Sequence, residues 1–269
     1  MNNIVYETTG ELKNIAKKRL EGYWGKMTLA MIVLSVLVDI IPQILTILTP
    51  ESLMFKYEDI SLSYVSNLYD FFTTGAFSAG MCSLMLVFFR ERETHPGHLF
   101  NGYEYYFKTF SLMIIKGVFI AAWSLLFIIP GIIAAFSYSQ AYYILAEHPE
   151  KGIMQCLRES KIMMNGNKSK YFVILLSFFG YYFLIAMIQG ILLQMKVNSL
   201  IISFVILIPA AALAAYVGTT ETAFYEILTG HLKGRAQMGG YSREVPREVP
   251  WERKKDQGDD AQNDDSMEY

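Results

Sequence analysis

Charged residues are scarce in this sequence: they fill 18% of its 269 positions, against about 25% in an ordinary soluble domain. That shortage argues against a soluble enzyme. Cysteine occurs twice, Cys82 in an apolar run and Cys156 in a polar loop, which is no disulfide framework. Histidine occurs four times. His95 and His98 lack further ligands at fixed spacing, and His148 and His231 stand alone in sequence, so no zinc site is expected. Phosphate-loop, dinucleotide-fingerprint and Gly-x-Ser-x-Gly patterns are all missing, so no catalytic residue, metal ligand or cofactor is expected. A net charge of only -2 leaves no basic surface for nucleic acid.

Apolar residues, by contrast, make up 53% of the chain, with 18 Tyr, 18 Phe and 14 Met. The mean hydropathy of +0.28 is held down by polar ends. A helix crossing a hydrocarbon layer roughly 30 Å thick needs about 20 mostly apolar residues. Residues 27–48, 68–89, 171–195 and 199–219 each meet that requirement. The stretch 112–146 is too long for one crossing and short for two. Its centre, Ile128-Ile129-Pro130-Gly131-Ile132-Ile133, reads as a tight hairpin turn near the outer surface, with Ile128 and Ile133 on opposite arms. A re-entrant break at Pro130-Gly131 is the alternative; a single kinked helix fails on charge.

The charge argument is the positive-inside rule. Basic residues cluster before the first apolar run, at 90–108, at 151–170 and after 233, while Lys56 and Lys196 alone fall in the other loops. The loops at 90–108 and 148–170 must then share a side, which requires an even number of crossings between them. The expected fold is all-α: a polytopic transmembrane bundle of six spans with cytoplasmic amphipathic helices and both termini in the cytoplasm. Residues 1–26 form an amphipathic lead-in whose lysines face anionic headgroups, with Trp24 at the headgroup level and the first apolar run retained. Residues 27–228 form the membrane domain, including a cytoplasmic helix at 149–165. Residues 229–269, with Arg-Glu-Val-Pro twice in succession at 243–250 and an acidic end, read as a polar, largely disordered tail.

Four side chains inside the apolar runs are candidates for function. Asp39, one turn before Pro42, is costly in a bilayer unless neutral, paired or hydrated. Lys116 can snorkel to the cytoplasmic interface, where Glu221 should also lie. Gln140 belongs to a polar set with Ser137, Tyr138, Ser139, Tyr142 and Tyr143 that could face a wet crevice. Convergence of Asp39, Gln140 and Pro209 on a mid-membrane cavity would favour transport; separate packing contacts would favour structure. Gly75, Ala79 and Ser83 supply a small-residue seam for close helix approach.

Trp123 to Ile132 (WSLLFIIPGI), with Tyr138, Tyr143-Ile144-Leu145-Ala146 and Pro149, then Ser160, Met164, Gly166 and Lys168, Leu176 to Gly180 (LSFFG), and Ala223-Phe224-Tyr225, together resemble the bacterial integral membrane proteins grouped as domain of unknown function 975. Gly22-Tyr23-Trp24-Gly25 and Leu99-Phe100 extend the resemblance, while Tyr181 stands where a tryptophan often closes the aromatic motif. The family implies membrane context and no activity or catalytic residues. The resulting expectation is a noncatalytic scaffold or accessory factor in envelope physiology, with a secondary transporter or permease-like protein as the alternative. Its partners would be the lipid bilayer, anionic lipids, and a membrane protein or a second copy of the chain.

Overall fold

A computed structural model of the protein describes residues 3–57 and 60–232. The Arg-Glu-Val-Pro repeat and the acidic tail expected after it lie outside the described residues.

The first helix, α1 (Thr9–Leu20), starts where Thr8 and Glu11 cap each other: the Glu11 N–H donates to the Thr8 hydroxyl at 3.2 Å, and the Thr8 N–H to the Glu11 carboxylate at 2.8 Å. Leu12, Ala16 and Leu20 form its buried face. Lys17 and Lys18 are exposed, but Lys13 departs from the expectation that the lysines face headgroups. It turns inward, donating to the Ser177 carbonyl at 3.0 Å and lying 4.0 Å from the Phe178 ring centroid.

The first apolar run is α2 (Trp24–Ser35), a π-helical turn over Val36–Ile40, and α3 (Ile41–Leu48). The wide turn sits directly before Pro42, whose ring would press on a carbonyl four residues back in a regular helix. A short antiparallel hairpin follows, β1 (Met54–Tyr57) and β2 (Ile60–Ser63). The second run, α4 (Tyr64–Glu91), ends on Arg92 in the left-handed region at φ 58°.

After α4 the chain folds back along it through a 3-10 turn, Pro96–Phe100, and α5 (Asn101–Glu104). Glycine makes this possible. A Cβ on Gly80 would collide with the Leu99 backbone, one on Gly102 with the Ala76 backbone, and one on Gly75 would stand 2.8 Å from the Thr109 carbonyl. The small-residue seam at 75, 79 and 83 therefore receives a returning loop and the start of the next helix, and Asn101 donates to Ser83 at 2.8 Å across it.

The stretch read as a hairpin is α6 (Tyr106–Leu126), α7 (Ile128–Ser137) and α8 (Ala141–Glu147). Its turn is displaced from Pro130-Gly131: the chain breaks at Phe127 alone, extended at φ -160° and ψ 151°. Ile128 and Ile133 thus share one arm, contrary to expectation. Proline costs nothing in a first helical turn, and Gly131 lets α7 close against Ser124 on α6. The cytoplasmic helix of the sequence reading is α9 (Ile153–Met163), and α10 (Lys168–Gln194) and α11 (Ser199–Thr229) complete the bundle.

Six helical runs, Trp24–Leu48, Tyr64–Glu91, Tyr106–Leu126, Ile128–Glu147, Lys168–Gln194 and Ser199–Thr229, are long and apolar enough to cross a membrane. The fold is an all-α membrane bundle, and its packing is uneven along its length. On α11 the buried positions, apart from Ile202, run from Ala211 to Leu228, whereas Ile201, Phe204, Val205 and Ile208 are exposed. Phe88, Phe89, Leu99, Leu145, Leu157 and Tyr225 fill the core at the end where the basic loops gather.

Gly80→Ala should lower the stability of the detergent-solubilised protein by about 1–3 kcal/mol, because neither backbone at that contact can give way. Gly117→Ala, inside α6 where an added Cβ meets nothing within 4 Å, should melt no lower than the wild type. Equal melting of the two variants would refute the close packing of 96–104 on α4.

Candidate functional site

Three helix ends meet at the basic side, each bringing a charge. Arg90 closes α4, Glu147 closes α8, and Glu226 lies one turn from the end of α11. The Arg90 guanidinium serves both acids, donating from Nε to Glu226 at 2.8 Å and from Nη2 to Glu147 at 2.5 Å. Tyr225 donates its hydroxyl proton to the other Glu147 oxygen at 2.6 Å. The Tyr225 ring stacks on Tyr143 at 5.1 Å, and Tyr143 pairs with Thr222 at 3.2 Å. His231 hangs over the group just past the left-handed Gly230, with Nδ1 3.0 Å from Arg90 and 3.5 Å from Glu226.

Glu226 is only 2% exposed, so its charge is affordable only because a cation reaches it. A cation at the C-terminal end of α4 also suits the negative end of that helix. With two carboxylates on one guanidinium, the acids outnumber the cation in this trio.

Below this cluster lies a cavity of about 460 Å³ lined by Glu147, His148, Lys151, Glu159, Tyr225 and His231, among others. Lys151 and Gln155 donate to Glu159 at 2.8 and 2.9 Å. Partial burial pushes the Glu159 carboxyl up, but those two hydrogen bonds and the Lys151 charge outweigh it and hold the group below its usual range. Among the described residues, no group of three or more His, Cys, Asp or Glu is placed to hold a metal ion.

Of the four residues singled out from sequence, Lys116 and Glu221 lie close enough to interact electrostatically, and Asp39 and Gln140 do not join them. Asp39 sits in the π-helical turn, exposed on the flank of the bundle, with Ser35 and Asp70 as its polar neighbours. Pro209 is exposed as well. Gln140 is fully buried at the break between α7 and α8, where its amide donates to Ser139 at 2.9 Å. Ser160 of α9 bridges that break, accepting from the Gln140 N–H at 3.2 Å and donating to the Ser137 carbonyl at 2.8 Å. Asp39, Gln140 and Pro209 thus meet separate surroundings. Lys116 lies 5.1 Å from the Tyr142 ring centroid, and Glu221 accepts from the Tyr171 hydroxyl at 2.9 Å, so each has an aromatic partner in place of the ion pair that was geometrically open to them.

Sequence reasoning missed Arg90, Glu147, Tyr225, Glu226 and His231 as a unit. The available signal was sign: Glu147 and Glu226 are acids at the basic ends of apolar runs, and an acid there needs a cation from another run.

The sequence matches the family described as "Protein of unknown function (DUF975)" over residues 1–137 and 121–231. No curated protein and no solved structure matches.

Arg90→Met should destabilise the protein by about 3–5 kcal/mol, because it leaves buried carboxylates without a cation. Adding Glu147→Gln and Glu226→Gln to Arg90→Met should recover much of that loss. Lys151→Met, at a partly exposed pair, should cost about 1 kcal/mol or less. A chemical-unfolding series on the four proteins checks the ranking, and equal losses for Arg90→Met and Lys151→Met would refute it.

Proposed function

The chain belongs to the DUF975 family of proteins of unknown function, and from that premise we propose that it is a noncatalytic multi-span protein of the bacterial cytoplasmic membrane, a scaffold or accessory factor in envelope physiology. The observation that carries this reading is where the polar groups spend their hydrogen bonds. Arg90, Glu147 and Glu226 tie helix ends together, Ser160 and Gln140 close a helix break, and Lys116 and Glu221 have aromatic partners. Asp39, the acid most suggestive of ion coupling, is exposed on the flank of the bundle, whereas Gln140 is fully buried at the α7–α8 break. The cavity of about 460 Å³ opens among helix ends rather than midway along the helices.

The gathering of basic residues on one side supports a cytoplasmic position for both termini. Anionic headgroups are the partners that suit the exposed Lys17 and Lys18 of α1.

Purified protein in liposomes under an imposed proton or sodium gradient should accumulate none of a panel of candidate solutes, and Asp39→Asn should match the wild type in yield and melting. Gradient-driven uptake that disappears in Asp39→Asn would replace this reading with secondary transport. In intact cells an impermeant maleimide should label Met195→Cys but not Phe107→Cys, two sites exposed at opposite ends of the bundle. The reverse pattern would invert the orientation.

A further inference from the structure

The tip of the α6–α7 hairpin is bare. Every residue from 121 to 129 is exposed, Leu125 at 90%, and Ser124 is the one polar side chain among them. Among the described residues no other part of the chain covers this apolar projection, and an aqueous phase would penalise it heavily. An outer membrane surface would also be expected to put polar residues at such a turn.

Contacts with neighbouring helices set the depth of the tip. Phe136 of α7 lies 5.9 Å from both Tyr171 and Phe172, at the start of α10. At about 1.5 Å per residue, Phe136 to the Phe127 turn is about 13 Å of helix, whereas Phe172 to the end of α10 at Gln194 is about 33 Å. The same comparison on α11 starts from the Tyr143–Thr222 pair: about 24 Å up to Phe127, against about 35 Å up to Ser199. By both measures the turn falls about 10–20 Å short of the far ends of its neighbours, which is the middle of a hydrocarbon layer roughly 30 Å thick.

The base of the hairpin fits that depth. Phe119 packs 5.9 Å from Tyr138, and Lys116 sits over Tyr142, so a lysine on one arm and the Ser137–Gln140 break on the other stand at one level. Ser160 of α9 meets that same break, and Lys168 and Lys170 open α10 beside it. Between these polar markers each arm is about ten residues, or about 15 Å, which is half a bilayer. The rest of α6, from Tyr106, runs below this level against α4 and α5, where Lys108 donates to the Pro149 carbonyl at 2.5 Å.

We infer that the α6–α7 hairpin is re-entrant: it enters the bilayer from the side of the basic loops, turns at Phe127 in the middle of the hydrocarbon, and returns to the same side. Its occupant is the acyl-chain layer of that one leaflet. Both arms have helical hydrogen bonding, so exposure to lipid leaves few backbone groups unpaired, and the interrupted turn at Phe127 still closes a Gly131 N–H to Phe127 carbonyl bond at 3.3 Å. Because both ends of the hairpin return to the same face, the loops at 90–108 and 148–170 share a side as the charge pattern requires. The hairpin adds two helices to one leaflet and none to the other, so the protein has a larger cross-section on its basic side.

This inference rests on the chain being a bilayer protein but not on which side is cytoplasmic. The test is fluorescence quenching in phosphatidylcholine vesicles carrying bromine at different chain depths. The reporter is Phe127→Trp in a chain whose Trp24, Trp123 and Trp251 are phenylalanine, with Ile128→Trp as a second reporter and Ile191→Trp, near the far end of α10, as reference. Deep bromines should quench Phe127→Trp and Ile128→Trp about twofold more than shallow ones, and the preference should reverse for Ile191→Trp. Shallow quenching at 127 and 128 equal to that at 191, or reaction of Phe127→Cys with an impermeant maleimide added on the side opposite the basic loops, would overturn the inference. Failure of bromolipids to quench Ile191→Trp would refute the bilayer reading itself, which separates the two failures.

Discussion

One guanidinium holds the basic end of this bundle together. Arg90 reaches two carboxylates from two other helices, and the separations in sequence, 57 residues to Glu147 and 136 to Glu226, mean that the contact links the second, fourth and last apolar runs. In lipid, helices have little hydrophobic reason to associate, so a charge that must be neutralised exerts more control over their arrangement than apolar surface does. A carboxylate as buried as Glu226 admits only those arrangements that bring a cation to it. The stacked Tyr143 and Tyr225 and the buried Phe88, Phe224 and Leu145 pack around a geometry that the ionic group has already narrowed.

The interruptions of the helices follow the same logic of satisfying polar backbone locally. At the Ser137–Gln140 break, α7 gives up regular hydrogen bonding, and a single hydroxyl from α9 accepts on one side and donates on the other. The π-helical turn before Pro42 absorbs a proline without a free donor nearby, since the Ile41 N–H still reaches the Val36 carbonyl. Asn167 does comparable work for the N-terminal strand of chain, accepting from Val5 at 2.9 Å and donating to the Asn3 carbonyl at 2.9 Å. The Ser137–Gln140 break and the Asn167 contacts lie toward the basic end, whereas the π-helical turn lies in the other half of the bundle.

Apolar length was enough to place the long helices, because bilayer thickness imposes a length. The Phe127 break was not legible in the same way. Pro130-Gly131 advertises a turn, yet proline is comfortable at the start of a helix, so the pair marks the beginning of α7 and the close approach of Gly131 to Ser124, three residues beyond the turn itself. The fold-back of 96–104 along α4 left only the faint trace of glycines at 80 and 102, whose meaning depends on what faces them. The ionic group at Arg90 was harder still: every member sits near the end of an apolar run, where a lone charge looks like a boundary marker, and its partners can be known only once the runs are placed side by side.

A gradient of packing runs along the bundle axis, and it has mechanical consequences. At the basic end the buried core is cross-linked by the Arg90 group, by Asn3 donating to the Leu228 carbonyl at 3.1 Å, and by α1 laid against α10 and α11. At the other end the helices are held by isolated hydroxyl and amide contacts, Thr46 to Ser66 at 3.0 Å, Thr49 to Ser63 at 2.7 Å and Ser203 to Gln43 at 2.9 Å. Regions with few buried apolar contacts open at lower free energy than the core does. Asp39 and the exposed face of α11 lie in that looser half, so a change there can be met by local adjustment, while a change at Glu226 must be answered by the whole bundle. Evolutionary freedom in sequence should follow the same gradient, with the far half governed by hydrophobicity and the basic half by specific partners.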